Sequence, residues 1–338
     1  MKKFILFIAS LYIRCHCVAQ DPHFSQFFMA PNFINPALTS VSTSDWRVMA
    51  NFRQQWGNAG TPFNTQAVAA EMKLTGTERD QPKDENMNTL AVGASFMSDQ
   101  SMFGAFRSNY FIGTVSYKQI LSNEHSVSLG MHGMYGNRMI DYSRLTFGEQ
   151  FTSGGFDASF PSGEQVLSSI KPFISLGAGL LYNYRADKIN VEVGAAAFHL
   201  NSPKQTALDD PKQIIPKRYI VHANMEYPLS PRTTFGFNAC YQIQALPSYF
   251  SVGGAMGYDL SDGDKNSVLY GGVWFREGDS FYPFFGWSIG NLQLGFSYDV
   301  THSQQNLGPS VPRSFEMSLV VRQRSDPDKK FGVGCPWR

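Results

Sequence analysis

Asn291 to Val300 reads NLQLGFSYDV, with Leu292, Leu294, Phe296, Tyr298 and Val300 at one parity and Asn291, Gln293, Gly295, Ser297 and Asp299 at the other. Side chains of an extended chain point alternately to opposite faces, so this stretch predicts a ten-residue strand with one apolar face. The pattern recurs at Arg218 to Tyr227, where Tyr219, Val221, Ala223, Met225 and Tyr227 oppose Arg218, Ile220, His222, Asn224 and Glu226. It recurs at Thr234 to Ile243, where Phe235, Phe237, Ala239, Tyr241 and Ile243 face away from Thr234, Gly236, Asn238, Cys240 and Gln242. Looser runs lie at Asp45 to Trp56, Phe63 to Met72, Thr89 to Ser98, Ser108 to Lys118, His125 to Tyr135, Lys171 to Tyr184 and Lys188 to His199. With Ser248 to Tyr258, Ser267 to Arg276, Phe281 to Ile289 and Ser314 to Arg322 they make fourteen.

Strands of this length choose between two architectures. Sandwich strands usually run about 5 to 6 residues, whereas about 9 to 11 tilted residues cross a bilayer. The expected fold is therefore all-β, a transmembrane antiparallel β-barrel of about fourteen strands spanning 45–323. A mean hydropathy of −0.23 agrees with it, because inward positions of a large barrel are free to be polar. With the N-terminus periplasmic, odd-numbered connections should be long and face outside. Gly136 to Ile170, Leu200 to Pro216 and Thr301 to Arg313 are long and odd. Ile120 to Glu124, Arg185 to Asp187, Leu229 to Pro231 and Gly290 are tight and even, while Lys73 to Asn88 is long and even. Aromatic residues near strand ends, Trp46, Trp56, Tyr110, Tyr117, Tyr182, Tyr219, Tyr227, Tyr249, Tyr258, Trp274, Tyr282 and Trp287, are expected to form interfacial girdles. Glycines inside strands suit curvature and crowded walls.

The start of the chain predicts export. Lys2 and Lys3 precede the apolar run Phe4 to Ile13, and Cys17-Val18-Ala19 supplies a cleavage site, so 1–19 reads as a signal peptide. Ten apolar residues fall short of the roughly 20 that span a bilayer as a helix. Cys15 follows Arg14 and Cys17 follows His16, which does not suit lipidation. A net charge of +1 gives no argument for nucleic acid as a partner, since a phosphate backbone is held by clustered Lys and Arg. Outside the leader only Cys240 and Cys335 remain, too few for a disulfide scaffold or a Cys-rich zinc site.

No nucleophile elbow, zincin helix, P-loop or dinucleotide fingerprint is present, so no catalytic residue, metal site or cofactor is expected. The histidines His23, His125, His132, His199, His222 and His302 are scattered, and the odd separation of His125 and His132 sends them to opposite faces of one strand. Asp262-Gly263-Asp264 with Asn266 lacks the acidic residue that closes a calcium loop, Val273 standing there, and reads as a turn.

The segment 20–44 differs in kind. Phe24, Phe27, Phe28, Met29 and Phe33 make it too apolar for a free tail, while Pro22, Pro31 and Pro36 forbid a continuous helix or strand and Asn32 and Asn35 favour turns. It is expected to be an irregular periplasmic strap, either a plug or belt for its own barrel or a docking surface, the two being compatible. The partner-binding residues it would contribute are Asp21, Pro22, His23, Phe24, Ser25, Gln26, Phe27, Met29, Pro31, Asn32, Asn35 and Pro36.

The run Asp21-Pro22-His23-Phe24-Ser25-Gln26-Phe27, then Met29-Ala30-Pro31 and Asn35-Pro36-Ala37-Leu38-Thr39, resembles the N-terminal signature of the PorP/SprF family. The similarity continues through Trp46-Arg47 and Asn51-Phe52-Arg53-Gln54-Gln55-Trp56 and returns at Gly334-Cys335-Pro336-Trp337-Arg338, in the tail 324–338. The resemblance implies an integral outer-membrane component of the type IX secretion system of Bacteroidota, without catalysis. Its implied partners are the periplasmic ring proteins, the C-terminal domain of a secreted surface adhesin and outer-membrane lipid, and its implied role is adhesin export, anchoring or gliding motility. The outer loops would read the cargo and carry no signature. A general or lipid-carrying porin and a barrel hydrolase are the alternative readings.

Overall fold

The computed structural model describes residues 21–58, 61–75, 87–157, 159–161, 170–205, 213–261, 267–302 and 312–323. The leader 1–19, the turn Asp262-Gly263-Asp264 and the tail 324–338 with Cys335 lie outside the described residues.

Sixteen strands are described: β1 (Trp46–Gln55), β2 (Phe63–Lys73), β3 (Thr89–Ser101), β4 (Phe106–Ile120), β5 (His125–Ile140), β6 (Phe151–Thr152), β7 (Gly155–Phe156) and β8 (Phe173–Ala186). They continue as β9 (Ile189–Phe198), β10 (Arg218–Ser230), β11 (Thr233–Gln244), β12 (Ser248–Asp259), β13 (Ser267–Arg276), β14 (Ser280–Ile289), β15 (Leu292–Thr301) and β16 (Arg313–Arg322). All but β6 and β7, a small hairpin in the connection between β5 and β8, form one closed antiparallel barrel of fourteen strands. Closure runs through β1 and β16, in register from Arg47↔Arg322 to Gln54↔Phe315. Every one of the fourteen alternating runs is a wall strand.

The burial pattern is inverted relative to a protein folded in water. In β15, Leu292, Leu294 and Phe296 are exposed while Gln293, Gly295, Ser297 and Asp299 are buried. The other strands follow suit, with Val68, Phe111, Leu129, Ile174, Val221, Phe285 and Met317 on the outside and Arg53, Glu71, Ser116, His222, Asn238 and Glu316 inside. Such an apolar outer belt is stable only against hydrocarbon, and closure leaves no unpaired strand edge in it.

Tight connections at 121–124, 187–188, 231–232 and 290–291 gather at one mouth, here the turn end, where 74–88 is the long exception. The opposite mouth, the loop end, carries the long connections 141–172, 199–217 and 302–312, together with short ones at 245–247 and 277–279. Exposed Trp46, Tyr117, Tyr182, Tyr227, Tyr258 and Trp287 ring the turn end as an aromatic girdle. The girdle reading fails for Tyr110, Trp274 and Tyr282, which are buried in the lumen, and for Tyr249, whose ring packs on His23 of the strap at 4.8 Å and whose hydroxyl donates to Gln242. Each has inward parity, Tyr110 alongside Ser108, Trp274 alongside Tyr270, Tyr282 alongside Ser280 and Tyr249 alongside Ser251, and nearness to a strand end does not reveal which face a residue takes.

Candidate functional site

The residues ahead of β1 fill the barrel. Their prolines break regular structure into three 3-10 turns, Phe27–Met29, Pro31–Phe33 and Pro36–Ser40. Asn35 caps the last of them, its side-chain oxygen accepting the Ala37 N–H at 2.9 Å with Pro36 at the first helical position. This is the irregular strap expected from the sequence. It does not lie beneath the rim, however, but is drawn up into the lumen, because only there do its aromatic side chains find an apolar wall away from lipid. Phe28 stacks on Trp274 with centroids 4.4 Å apart and meets Phe284 edge-on at 5.3 Å. Phe24 packs on Phe33, and the Arg218 guanidinium lies 4.3 Å over the Phe198 ring.

Three polar attachments hold the strap to the wall. Near the loop end, both carboxylate oxygens of Glu316 accept backbone N–H groups, from Ser25 at 2.7 Å and Gln26 at 3.0 Å. The Ser25 hydroxyl donates to Asp299 at 2.7 Å and accepts from Arg276 at 2.7 Å and from Arg53. Arg53 also pairs with Asp299 at 3.1 Å and Glu316 at 3.4 Å, and Arg276 with Asp279 at 2.8 Å and Asp299 at 3.4 Å. Gln26 adds bonds to Ser297, Ser318 and the Glu316 carbonyl. Charges this deeply buried are costly unless paired and hydrogen-bonded, and here the strap backbone completes the pairing.

The second attachment is at Asp21, whose N–H donates to Gln244 at 2.8 Å. Its carboxylate sits 2.7 Å from His199 Nε2 and 3.6 Å from Arg218 Nε. Burial alone would raise this carboxyl; His199 and Arg218 overcome it and hold the group well below its ordinary range. The third attachment is Asn35. Its amide nitrogen is 3.0 Å from the Leu180 carbonyl, 3.4 Å from that of Ala195 and 3.0 Å from His222 Nε2, which must accept because an amide nitrogen only donates. The wall is hollowed for this segment. A methyl group on Gly130 would strike the Pro36–Ala37 peptide, on Gly179 the Asn35 oxygen, and on Gly194 the His222 ring.

With the strap in place little lumen is left. Two cavities among the described residues admit about 30 and 10 Å³ of water-sized space, room for a water or so each. The chain also runs lengthwise. Asp21 rests beside Phe198, Arg218 and Gln244 at the loop end, whereas Asp45 leads into Trp46 at the turn end.

The partner-binding expectation meets this geometry directly. Asp21, Phe24, Ser25, Gln26, Phe27, Met29, Pro31, Asn32, Asn35 and Pro36 are buried inside their own barrel, and Pro22 and His23 are half-buried. Sequence reasoning did not find their wall partners Arg53, Arg276, Asp299 and Glu316, although charged residues at inward parity in a strand were a usable signal. It also missed a Ser175–His199–Asp21 relay, with Ser175 Oγ 2.8 Å from His199 Nδ1. The relay has the members of a hydrolytic triad, but Ser175 is 0% exposed behind the strap, so no ester reaches it. Its evident work is to orient His199 toward Asp21. Among the described residues no three His, Cys, Asp or Glu side chains converge on a metal position, and Cys240 is a buried free thiol.

Residues 17–321 match the family described as type IX secretion system membrane protein PorP/SprF. No curated protein matches the chain. Among solved structures, a FadL homologue of Pseudomonas aeruginosa aligns with TM-score 0.50 and 9% identity over 86% of this chain and 93% of that one, a likeness of fold alone. The Ralstonia pickettii toluene transporter TbuX aligns with TM-score 0.49 and 11% identity over 88% and 94% of the two chains.

Proposed function

The chain belongs to the PorP/SprF family of type IX secretion system membrane proteins, and from that premise we propose that it works as a closed, non-enzymatic barrel of the outer membrane. In this reading it supports export or surface anchoring of particular adhesins, as in gliding bacteria of the Bacteroidota, and engages the periplasmic ring of the secretion machine through its turn end. The loop end, with 141–157 and its exposed Phe151 and Phe156, meets the C-terminal domain of the adhesin. The signal peptide is removed before the strap seats.

The observation that carries this reading is the filled lumen. A porin needs a continuous aqueous path, and the strap, fixed at Asp21, Ser25–Gln26 and Asn35, occupies that path among the described residues, where the two cavities beside it admit about a water each. A barrel that conducts nothing is left with its two rims as working surfaces, which suits an interaction component. Affinity purification from native membranes in mild detergent, followed by mass spectrometry, tests it. Ring subunits or an adhesin should co-purify; recovery of the barrel alone, with steady ion conductance in a planar bilayer, would return the protein to the porin class.

A further inference from the structure

On its way to the loop end, β4 turns a cation to the outside of the barrel. Ser108, Tyr110 and Ile112 are buried in the lumen, so Arg107, Asn109 and Phe111 take the outer face. Counted from Tyr117 in the turn-end girdle, the apolar outer positions of β4 give out six residues on, at Phe111, whereas those of β10 continue for eight, from Tyr227 to Tyr219. Arg107 lies ten residues beyond Tyr117. At about 3.3 Å per residue and a tilt of about 40°, that is roughly 25 Å of depth, the height of the apolar band. The guanidinium thus stands at the headgroup level of the loop-end leaflet, with Asn109 just below it.

Register gathers further polar groups around Arg107. Gln100 lies directly across from it on β3, and Gln66, Ser98, Asn109 and Asn137 form one row across β2, β3, β4 and β5. Among the described residues, the side chains of Gln66, Gln100, Arg107, Asn109 and Asn137 have no hydrogen bond or ion pair, and the Arg107 Nε is buried as well. Asp99 faces the lumen, bonded to Thr65, and Asp141 is bonded to Arg144 and Ser143, so neither answers the guanidinium.

We infer that this patch is a binding site for a phosphorylated lipid headgroup, with Arg107 on the phosphate and the amides of Gln100 and Asn109 on the polar groups around it. Charge and depth both choose this occupant. An unpaired guanidinium among amides, with no carboxylate beside it, favours an anion, and its planar fork matches two phosphate oxygens. At the edge of the apolar band the anions within reach are headgroups. Their tails would run down over Phe96, Phe111 and Tyr135, which pack in register directly beneath the polar row. Hydrocarbon cannot satisfy Gln66, Asn109 and Asn137 at their depth, so the bound headgroup also thins the leaflet beside β2 to β5. A bilayer bearing phosphorylated lipid suffices for this, whatever the secretion role.

Its test uses the purified full chain in non-ionic detergent, mixed with dioleoylphosphatidic acid or with dioleoylglycerol, which has the same tails and no phosphate. Bound lipid is counted by native mass spectrometry. The unsubstituted chain should retain the phosphatidic acid about five-fold over the glyceride, the worth of one cation at an anionic membrane surface. R107Q should erase that preference, and R107K, which keeps the charge without the fork, should fall between. Arg313 supplies the matched control, a cation exposed on the outer face of β16 at the same mouth but set beside Phe315 and Val300. R313Q should leave retention unchanged, and a heat-shifted folded band on gels shows that each variant compared is a folded barrel. Equal retention of the two lipids by the unsubstituted chain, a preference that survives R107Q, an equal loss in R313Q, or inorganic phosphate held by the lipid-free chain as tightly as the lipid would each overturn the assignment.

Discussion

The strap and the described part of the outer connection, 141–157, are built from similar material, yet they come to opposite ends. Both are irregular, both contain 3-10 turns with an Asx cap, and both carry several phenylalanines. Phe24, Phe27, Phe28 and Phe33 are buried; Phe151 and Phe156 are exposed, at 67% and 44%. Aromatic content alone therefore does not bury a segment. The strap meets a wall prepared for it, with carboxylates that take its N–H groups and glycines that make room for its backbone. The connection meets mainly itself, as in the stacking of Tyr142 on Phe147 and Phe151 against Phe156.

The sharpest way to break the contrast is to remove one side of it. Deleting 21–39 while keeping the leader should leave an inserted barrel whose lumen now conducts ions, visible as stepwise current in planar bilayers where the intact chain passes none; a deletion barrel that stays silent would mean the strap is not what closes it. Next in size is R53A. It takes from buried Glu316 its Arg53 partner and leaves Asp299 to Arg276 and Ser25, a loss of about 3–5 kcal/mol, to be read as an earlier heat-induced shift of the folded band on gels and as intermittent conductance. Gly179→Leu should cost about 1–3 kcal/mol or more by pushing Asn35 from its seat, and Asn35→Ala combined with it should add little, since both act on one contact. Phe151→Ala should move stability by less than about 0.5 kcal/mol while reducing adhesin display on cells, an outcome the buried phenylalanines cannot produce without unfolding. The smallest effect concerns acid. The Asp21 carboxyl lies lower in the folded chain than in the unfolded one, so its contribution is present at neutral pH and is lost only as pH falls through that lowered value. The Asp21 contribution, read as the difference in strap proteolysis between the unsubstituted chain and D21N, should accordingly be flat between about pH 7 and pH 5.

Most of the wall was legible because one rule, alternation, acts residue by residue along each strand. Where the rule weakened, so did the boundaries. The run seen as Ser108 to Lys118 extends to Phe106–Ile120, and His125 to Tyr135 extends to His125–Ile140, because residues such as Asn137 and Arg138 continue the ladder without an apolar partner to mark it. The strap announced its burial through phenylalanine and proline, but its destination depends on contacts such as Ser25 with Glu316, separated by 291 positions, that no local pattern encodes. Trp274 and Tyr282 show the same limit from the wall side. The girdle expectation put them at the interface, their parity in the structure is inward, and only the arrival of Phe28 explains why a large ring belongs there.

The lengthwise course of the strap has a practical corollary for anyone labelling this protein. A short epitope inserted just before Asp21 would emerge at the mouth of the long connections, whereas one placed just after Gln323 would emerge at the mouth ringed by tryptophan and tyrosine. Antibody applied to intact cells should thus reach the first and miss the second, so a single pair of tags would report which way the barrel stands in its bilayer.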